Sequence, residues 1–517
     1  VKPRNQDIVR KVFAVFVLTI TALLWAVLPL DENGFGWPQM VVAVLWFLSV
    51  VFVLKISLIA EPNIERPDVL GTDRHTTAIM NALDQAPDEG VFCGHIETPE
   101  GLRSAYISTE DRGVVIGPPG TGKSAFMVTQ MLDWSKSRRS IVCLDIKPEL
   151  HDIMRARLEK QGYRIRIFNP TAPCDRYNML DDLVGTTAIG ELAASLIPSA
   201  GGDNRAFDEA ARDIVDGLIS YLKVDGQAVS LPAIRHLLGG MANEKELVDM
   251  LASSEDEDVR DIAFALARSG RNSRFLGAVF ATLRSNLRFL RYEEIRTSIE
   301  VSDFSLRELM DDDRPTALFL QFEERHQETT RLLLSAMVAH LFNFFIEHTE
   351  RKPVLLMLDE IGNVPRIPAL VEKLNTIRSR QLPTWLYWQG IQQMQQYGMQ
   401  RDEGPNSILA ACDFHMAFRL NDNDTARWFS DRIGTADRIM TSVSQSGSGE
   451  TLSKSVKEEP IMKLADLQSL PNGQSIAIYR GNVWRNLATP YFKRWPQMAR
   501  KPNSNSRQSR RRSDPVS

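Results

Sequence analysis

Hydrophobic residues fall into three regimes along this chain. Near the amino end two long apolar runs stand close together: residues 12–30 carry no charge, and residues 40–60 carry only Lys55. Each approaches the roughly 20 residues that cross a bilayer as a helix. Short apolar runs of strand length follow at 113–116, 140–145, 164–168, 316–320, 354–358, 383–389 and 414–418, alternating with longer amphipathic stretches. That alternation predicts an α/β fold, a doubly wound sheet whose parallel strands are covered on both faces. From Asp181 to about Arg296 the period is helical and no run reads as a strand. There Phe207, Ala211, Ile214, Leu218 and Leu222 share one helical face.

The pattern divides the chain. Residues 1–60 read as a transmembrane hairpin with helices at about 12–30 and 40–60. Lys2, Arg4, Arg10 and Lys11 precede it, whereas the turn at 31–39 holds acids and no Lys or Arg. The positive-inside rule then places the amino terminus and everything after residue 60 in the cytoplasm. A signal peptide is disfavoured, because no small-residue cleavage site follows the first run and a second apolar run comes at once. Residues 61–180 and 297–499 form the α/β body, 181–296 an all-helical domain inserted into it, and 500–517 a disordered basic tail. Residues 442–455, rich in Ser and Gly, read as a mobile loop. In the helical part, Arg284, Arg288 and Arg291 make a basic stripe beside Leu283, Leu287 and Leu290. It is either a solvated face or a dock for an acidic partner or nucleic acid.

Composition narrows the picture little. The chain has 517 residues, 43% of them hydrophobic, and a formal net charge of -4, so any contact with nucleic acid must be local. Cys93, Cys143, Cys174 and Cys412 are scattered without metal-ligand spacing and read as buried thiols of a reducing compartment.

The chemistry lies at the ends of two predicted strands. Gly117-Pro118-Pro119-Gly120-Thr121-Gly122-Lys123-Ser124 follows the run 113–116 and precedes a helical stretch, which is the setting a phosphate-binding loop requires. Its glycines let backbone N–H groups turn toward a phosphate, and the helix adds its positive end. Lys123 is placed for the β- and γ-phosphates, and the Ser124 hydroxyl for Mg²⁺. The run 354–358 ends in Asp359 and Glu360. Asp359 suits the water shell of Mg²⁺, and Glu360 suits a general base acting on the attacking water.

These pieces, with Asp145-Ile146-Lys147-Pro148-Glu149-Leu150, Tyr177-Asn178-Met179-Leu180, Ser302-Asp303-Phe304-Ser305-Leu306-Arg307, Ile377-Arg378-Ser379-Arg380, Trp388-Gln389-Gly390 and Phe418-Arg419-Leu420-Asn421-Asp422, resemble the type IV coupling proteins, the TraG/TraD-type membrane ATPases of conjugation. The resemblance implies a RecA-like motor using ATP and Mg²⁺, working as a homohexameric ring in the bacterial inner membrane. Its partners would be a relaxase with single-stranded DNA, or protein effectors, and the components of a type IV secretion channel. By the same resemblance Gln389 senses the γ-phosphate, and Arg378, with Arg380 as the near alternative, reaches a neighbouring subunit's nucleotide. No role follows for Asp145 or Lys147 beyond a position near the nucleotide edge. The competing functions are a membrane-anchored DNA translocase of chromosome segregation and a recruitment scaffold that binds nucleotide without turnover. The turn at 31–39 is much shorter than the small extracytoplasmic domain of many relatives.

Overall fold

The computed structural model describes residues 79–495, apart from 82, 84, 99, 184, 200–203, 242, 270–272, 312, 350, 401, 447–448, 489 and some side chains of 269–273, 438–455 and 494. The expected hairpin at 1–60 and the tail at 500–517 lie outside the described residues.

Eleven strands form one sheet: β1 (Gly90–Thr98), β2 (Gly101–Ser108), β3 (Gly113–Ile116), β4 (Ile141–Leu144), β5 (Arg164–Phe168), β6 (Thr316–Leu320), β7 (Leu355–Leu358), β8 (Thr384–Trp388), β9 (Phe414–Ala417), β12 (Gln474–Tyr479) and β13 (Asn482–Leu487), where β10 (Thr435–Ser446) and β11 (Gly449–Pro460) pair separately. Their order is β2-β1-β13-β12-β9-β3-β8-β7-β4-β6-β5. From β9 to β5 all neighbours are parallel, whereas β12, β13, β1 and β2 extend the sheet antiparallel. Strands β3, β4, β6, β7, β8 and β9 are buried at every position. A parallel strand covered on both faces gains from apolar residues at every step, which is why their sequences read as unbroken runs.

Alternate residues feed two cores. Val115, Ile141, Cys143, Met357, Trp385 and Tyr387 face helices α1 (Lys123–Trp134) and α2 (Leu150–Lys160) through Phe126, Met131, Met154 and Leu158. Val114, Ile116, Val142, Leu144, Leu356, Leu358 and Trp388 belong to the opposite core, which runs on without a break into the helical insertion. The insertion consists of α3 (Thr186–Leu196), α4 (Arg205–Val224), α5 (Leu231–Gly240), α6 (Glu244–Ala252), α7 (Glu257–Ser269), α8 (Ser273–Asn286) and α9 (Glu293–Glu300). Joining it to the sheet is α10 (Gln327–Glu347), buried nearly all round. The stretch Glu324–Glu347 is long and apolar enough to cross a membrane, yet 78% of its most apolar window is buried inside the fold, as befits a helix sandwiched between two layers.

The two ends of the insertion are clasped. Tyr177 N–H donates to Ser298 O at 2.8 Å, and Asp303 N–H to Arg176 O at 2.9 Å. Arg176 grips Asp303 with two guanidinium nitrogens at 2.7 and 3.0 Å, and Tyr177 stacks on Phe304 with ring centroids 4.8 Å apart. Asn178 N–H donates to Ser302 Oγ at 3.0 Å. Two sequence motifs of unassigned role are thus the halves of one clasp.

Three expectations change. Residues 442–446 and 449–455 are strand and not loop: they belong to the β10/β11 ribbon, paired from Thr435 with Pro460 to Ser446 with Gly449. Its strands have no apolar alternation to read, since the pairing is a matter of backbone hydrogen bonds. The basic stripe is split between α8 and a 3₁₀ turn at Leu287–Arg291, although Leu283, Leu287 and Leu290 are buried as expected. Of the four cysteines Cys174 is exposed; the other three are buried.

Candidate nucleotide site

Four adjacent parallel strands, β3, β8, β7 and β4, deliver the site at their carboxyl ends: β3 leads into 117–124, β8 into Gln389, β7 into Asp359 and Glu360, and β4 into Asp145 and Lys147. The edges are stitched together, since Gly117 N–H donates to Trp388 O at 3.1 Å and Asp145 N–H to Leu320 O at 2.8 Å.

The loop at 117–124 has the geometry of an anion cradle. Gly120 and Gly122 lie at φ 79° and 110°, where a side chain would be strained. A Cβ on Gly117 would stand 2.8 Å from Thr121 Oγ1 and 2.9 Å from Phe418 Cβ, so the loop rests directly on Phe418. Thr121 Oγ1 donates to Pro118 O at 2.8 Å and closes the turn. No side chain caps the first turn of α1, which leaves its N–H groups for a ligand. Lys123 is buried and its Nζ donates back to Gly117 O, while Ser124 is exposed at the helix start. A cradle of this shape, with an exposed hydroxyl beside it and the Asp359 carboxyl at the same edge, fits a polyphosphate carrying Mg²⁺.

The acids are held tightly. Glu360 takes a left-handed backbone, φ 46° and ψ 38°, a conformation that costs a non-glycine residue roughly 1–2 kcal/mol. Its N–H donates to Asp359 Oδ1 at 3.0 Å, and its side chain receives Asn363 Nδ2 at 3.0 Å and Lys147 Nζ at 3.1 Å. Burial and the neighbouring Glu360 push the Asp359 carboxyl up to about 6, against the pull of Lys123. Burial lowers Lys123, and Asp359 and Glu360 oppose that shift. A cation next to Asp359 favours its ionised form.

Asp145, unassigned from sequence, caps α2. Its buried carboxylate accepts N–H bonds from Glu149, Leu150 and His151 at 3.1–3.3 Å, with Gln321 Nε2 at 3.4 Å. Burial nevertheless raises its pKa. Gln389 sits between the phosphate loop and the acids, and its N–H is fixed by Gln393 Oε1 at 2.9 Å. Arg378 is not brought to this edge. Its Nη2 lies 3.7 Å from Asp413 Oδ1, beside the start of β9 and therefore at the opposite end of the sheet. Arg380 follows it in the same turn. Sequence reasoning missed Asn363 and Gln393 as supports of the acids and of Gln389; the only signal for them is an amide side chain three residues after Glu360 and four after Gln389.

The model of the "Type IV secretory system Conjugative DNA transfer" family matches residues 57–511. The chain belongs to that family. It is 23% identical over 432 residues to the conjugal transfer protein TraG of Escherichia coli, covering 74% of this chain and 65% of that protein. It is also 23% identical over 418 residues to VirD4 of Agrobacterium fabrum, covering 77% and 60% respectively. The chain thus spans slightly under two thirds of these relatives. Among solved structures, the unbound conjugative coupling protein TrwB superposes with a TM-score of 0.62 at 16% identity, covering 80% of this chain and 90% of that one. TrwB in complex with ADP and Mg²⁺ gives 0.61 at 17%, covering 80% and 91%. At these identities the likeness speaks to fold alone: the chain shares the α/β fold of TrwB.

Proposed function

We propose that this protein is an ATP-hydrolysing coupling protein, which receives a relaxase bound to single-stranded DNA, or protein effectors, and drives them into a type IV secretion channel during conjugative transfer. The observation that carries this reading is the meeting of the phosphate loop, Gln389, Asp359, Glu360 and Lys147 at one edge, in a chain of the conjugative DNA transfer family. TrwB has been seen with ADP and Mg²⁺ and with a non-hydrolysable ATP analogue, and the cradle here suits the same ligands.

In this mechanism the N–H groups at 120–124 grip the phosphates, and Lys123 exchanges Gly117 O for the β- and γ-phosphate oxygens. The Ser124 hydroxyl and the Asp359 carboxyl would hold Mg²⁺, which would supply charge neutralisation on the phosphates. Glu360 orients and deprotonates the attacking water, and Gln389 reports the γ-phosphate. Arg378, remote from its own loop, serves a neighbour's nucleotide in a homohexameric ring, so that turnover depends on assembly. Residues 1–60 anchor the ring in the inner membrane as a hairpin with the body cytoplasmic. Residues 61–180 and 297–499 form the motor, and 181–296 meet the cargo.

The test is ATP hydrolysis by the full chain in membrane vesicles against protein concentration, with and without single-stranded DNA. Turnover that rises with both, and vanishes in Glu360→Gln, is the expected result. Nucleotide binding with no turnover when the chain is reconstituted with its secretion channel would overturn the motor and leave a recruitment scaffold. In mating assays Lys123→Ala should abolish transfer while the protein still inserts in the membrane.

A further inference from the structure

Glu360 has no free oxygen in this structure: Oε2 accepts from Asn363 Nδ2 at 3.0 Å and Oε1 faces Lys147 Nζ at 3.1 Å. Each carboxylate oxygen has two lone pairs and so keeps one for water, but a partner that leaves gives its oxygen to the water alone. The two differ in freedom. Asn363 belongs to the short turn that starts from Glu360 itself, and its N–H donates to Glu360 O at 2.8 Å, so it travels with the acid. Lys147 comes from another strand, and its side chain is 45% exposed against 10% for Glu360.

The backbone beneath Lys147 is firmly set, because Asp145 ties the N–H groups of 149–151 around it. A fixed root and a free four-carbon stem describe a cation that can change partner without moving its chain. Its electrostatic neighbours are Glu360, Glu324 and Asp359, and it lies close enough to Lys123 to lower that lysine's hold on its proton. The ammonium therefore borders the ground that Lys123 commands, where a γ-phosphate would bring more than one negative charge against the single charge of Glu360.

We propose that Lys147 is a latch on Glu360 that opens for the third phosphate. In the resting site it holds the carboxylate; a bound triphosphate draws Nζ onto a γ-phosphate oxygen and releases Oε1 to the attacking water. A diphosphate has nothing to draw it with, so the base stays covered after the product phosphate leaves. Lys147 is a positioning residue for Glu360, and the inference rests on the nucleotide reading above.

Equilibrium binding to the full chain in detergent tests it, with ADP and a non-hydrolysable ATP analogue as probes, each with Mg²⁺. Lys147→Met should weaken the triphosphate analogue roughly tenfold, the loss of one charge-assisted contact, and leave ADP unchanged. Lys147→Arg should restore most of the difference. Asn363→Ala, which removes the side chain that steadies Glu360 within its own turn, should slow turnover without changing the ratio of the two affinities. Equal weakening of both nucleotides by Lys147→Met would make Lys147 a structural support and overturn the latch, as would no weakening of either. Wild-type protein that binds neither nucleotide would instead overturn the nucleotide reading, and the latch with it.

Discussion

The hydroxyl of Tyr177 and Nε2 of His340 lie 2.8 Å apart in the core, joining one end of the helical insertion to α10. Tyr177 Oη donates onward to Asp182 Oδ2 at 3.1 Å, and Asp182 also accepts Ser305 Oγ at 2.7 Å and Leu306 N–H at 2.8 Å. The chain is satisfied when His340 is neutral and donates to Tyr177. Burial holds His340 down at about 4. A folded value below the unfolded one near 6.5 means that the unfolded state takes up the proton first, so stability is full above pH 6.5 and declines as pH falls toward 4. Between pH 7 and 5 the loss is about 2 kcal/mol for this group. Denaturant unfolding should show that decline, and His340→Gln should flatten it; equal slopes in the two proteins would refute the assignment. His415, also lowered to about 4 by burial, adds a similar slope and remains in the variant.

Gly362 touches the side chain that steadies Gln389. A Cβ there would stand 2.2–2.5 Å from the Gln393 amide, whose oxygen receives Gln389 N–H. The obstacle is the far end of a flexible side chain, so Gly362→Ala should fold with a change below about 1 kcal/mol while Gln393 moves off Gln389. Hydrolysis should fall, and Gln393→Ala should reproduce the fall. Normal turnover in both variants would remove this support from the site.

Arg378 lies at the amino end of β9 and the phosphate loop at the carboxyl end of β3, with the two strands parallel neighbours. Arg378→Ala and Lys123→Ala should each abolish hydrolysis. An equal mixture of the two should recover part of it, because some junctions then pair an intact loop with an intact arginine. No recovery in mixtures shown to co-assemble would count against action across subunits, as would recovery independent of mixing ratio.

The clasp between Arg176 and Asp303 is solvent-exposed, so water screens it and its direct contribution to stability is small. Asp303 also accepts Arg176 N–H at 2.9 Å, so Asp303→Ala opens both ends of the insertion together. Limited proteolysis should then cut faster near 176–182 and 298–304, with ADP affinity retained. An unchanged digestion pattern would show that the Tyr177–Phe304 stack is sufficient to close the junction.

The phosphate loop, the Asp359-Glu360 pair, the strand runs and the helical stretch after 181 were legible in the sequence because each is local. A strand buried on two faces must be apolar throughout, a helix repeats every 3.6 residues, and a phosphate cradle needs glycines at fixed steps. The β10/β11 ribbon was not legible, since its pairing leaves no periodic apolar trace. By length and composition the stretch Glu324–Glu347 would also pass for a membrane span; the layers packed around it make it a core helix.

What the sequence determined by itself was therefore the set of parts: the cradle, the acids, the parallel strands and a membership readable from motif order. Tertiary structure decided which parts meet. Strand order put Lys147 against Glu360, turned Asp145 into a helix cap, joined the Tyr177 and Asp303 motifs as one clasp, and set Arg378 at the far edge from its own loop. The physical reason is that such contacts join residues distant in sequence through sheet order and layer packing, and no pattern among near neighbours encodes which strands will lie side by side.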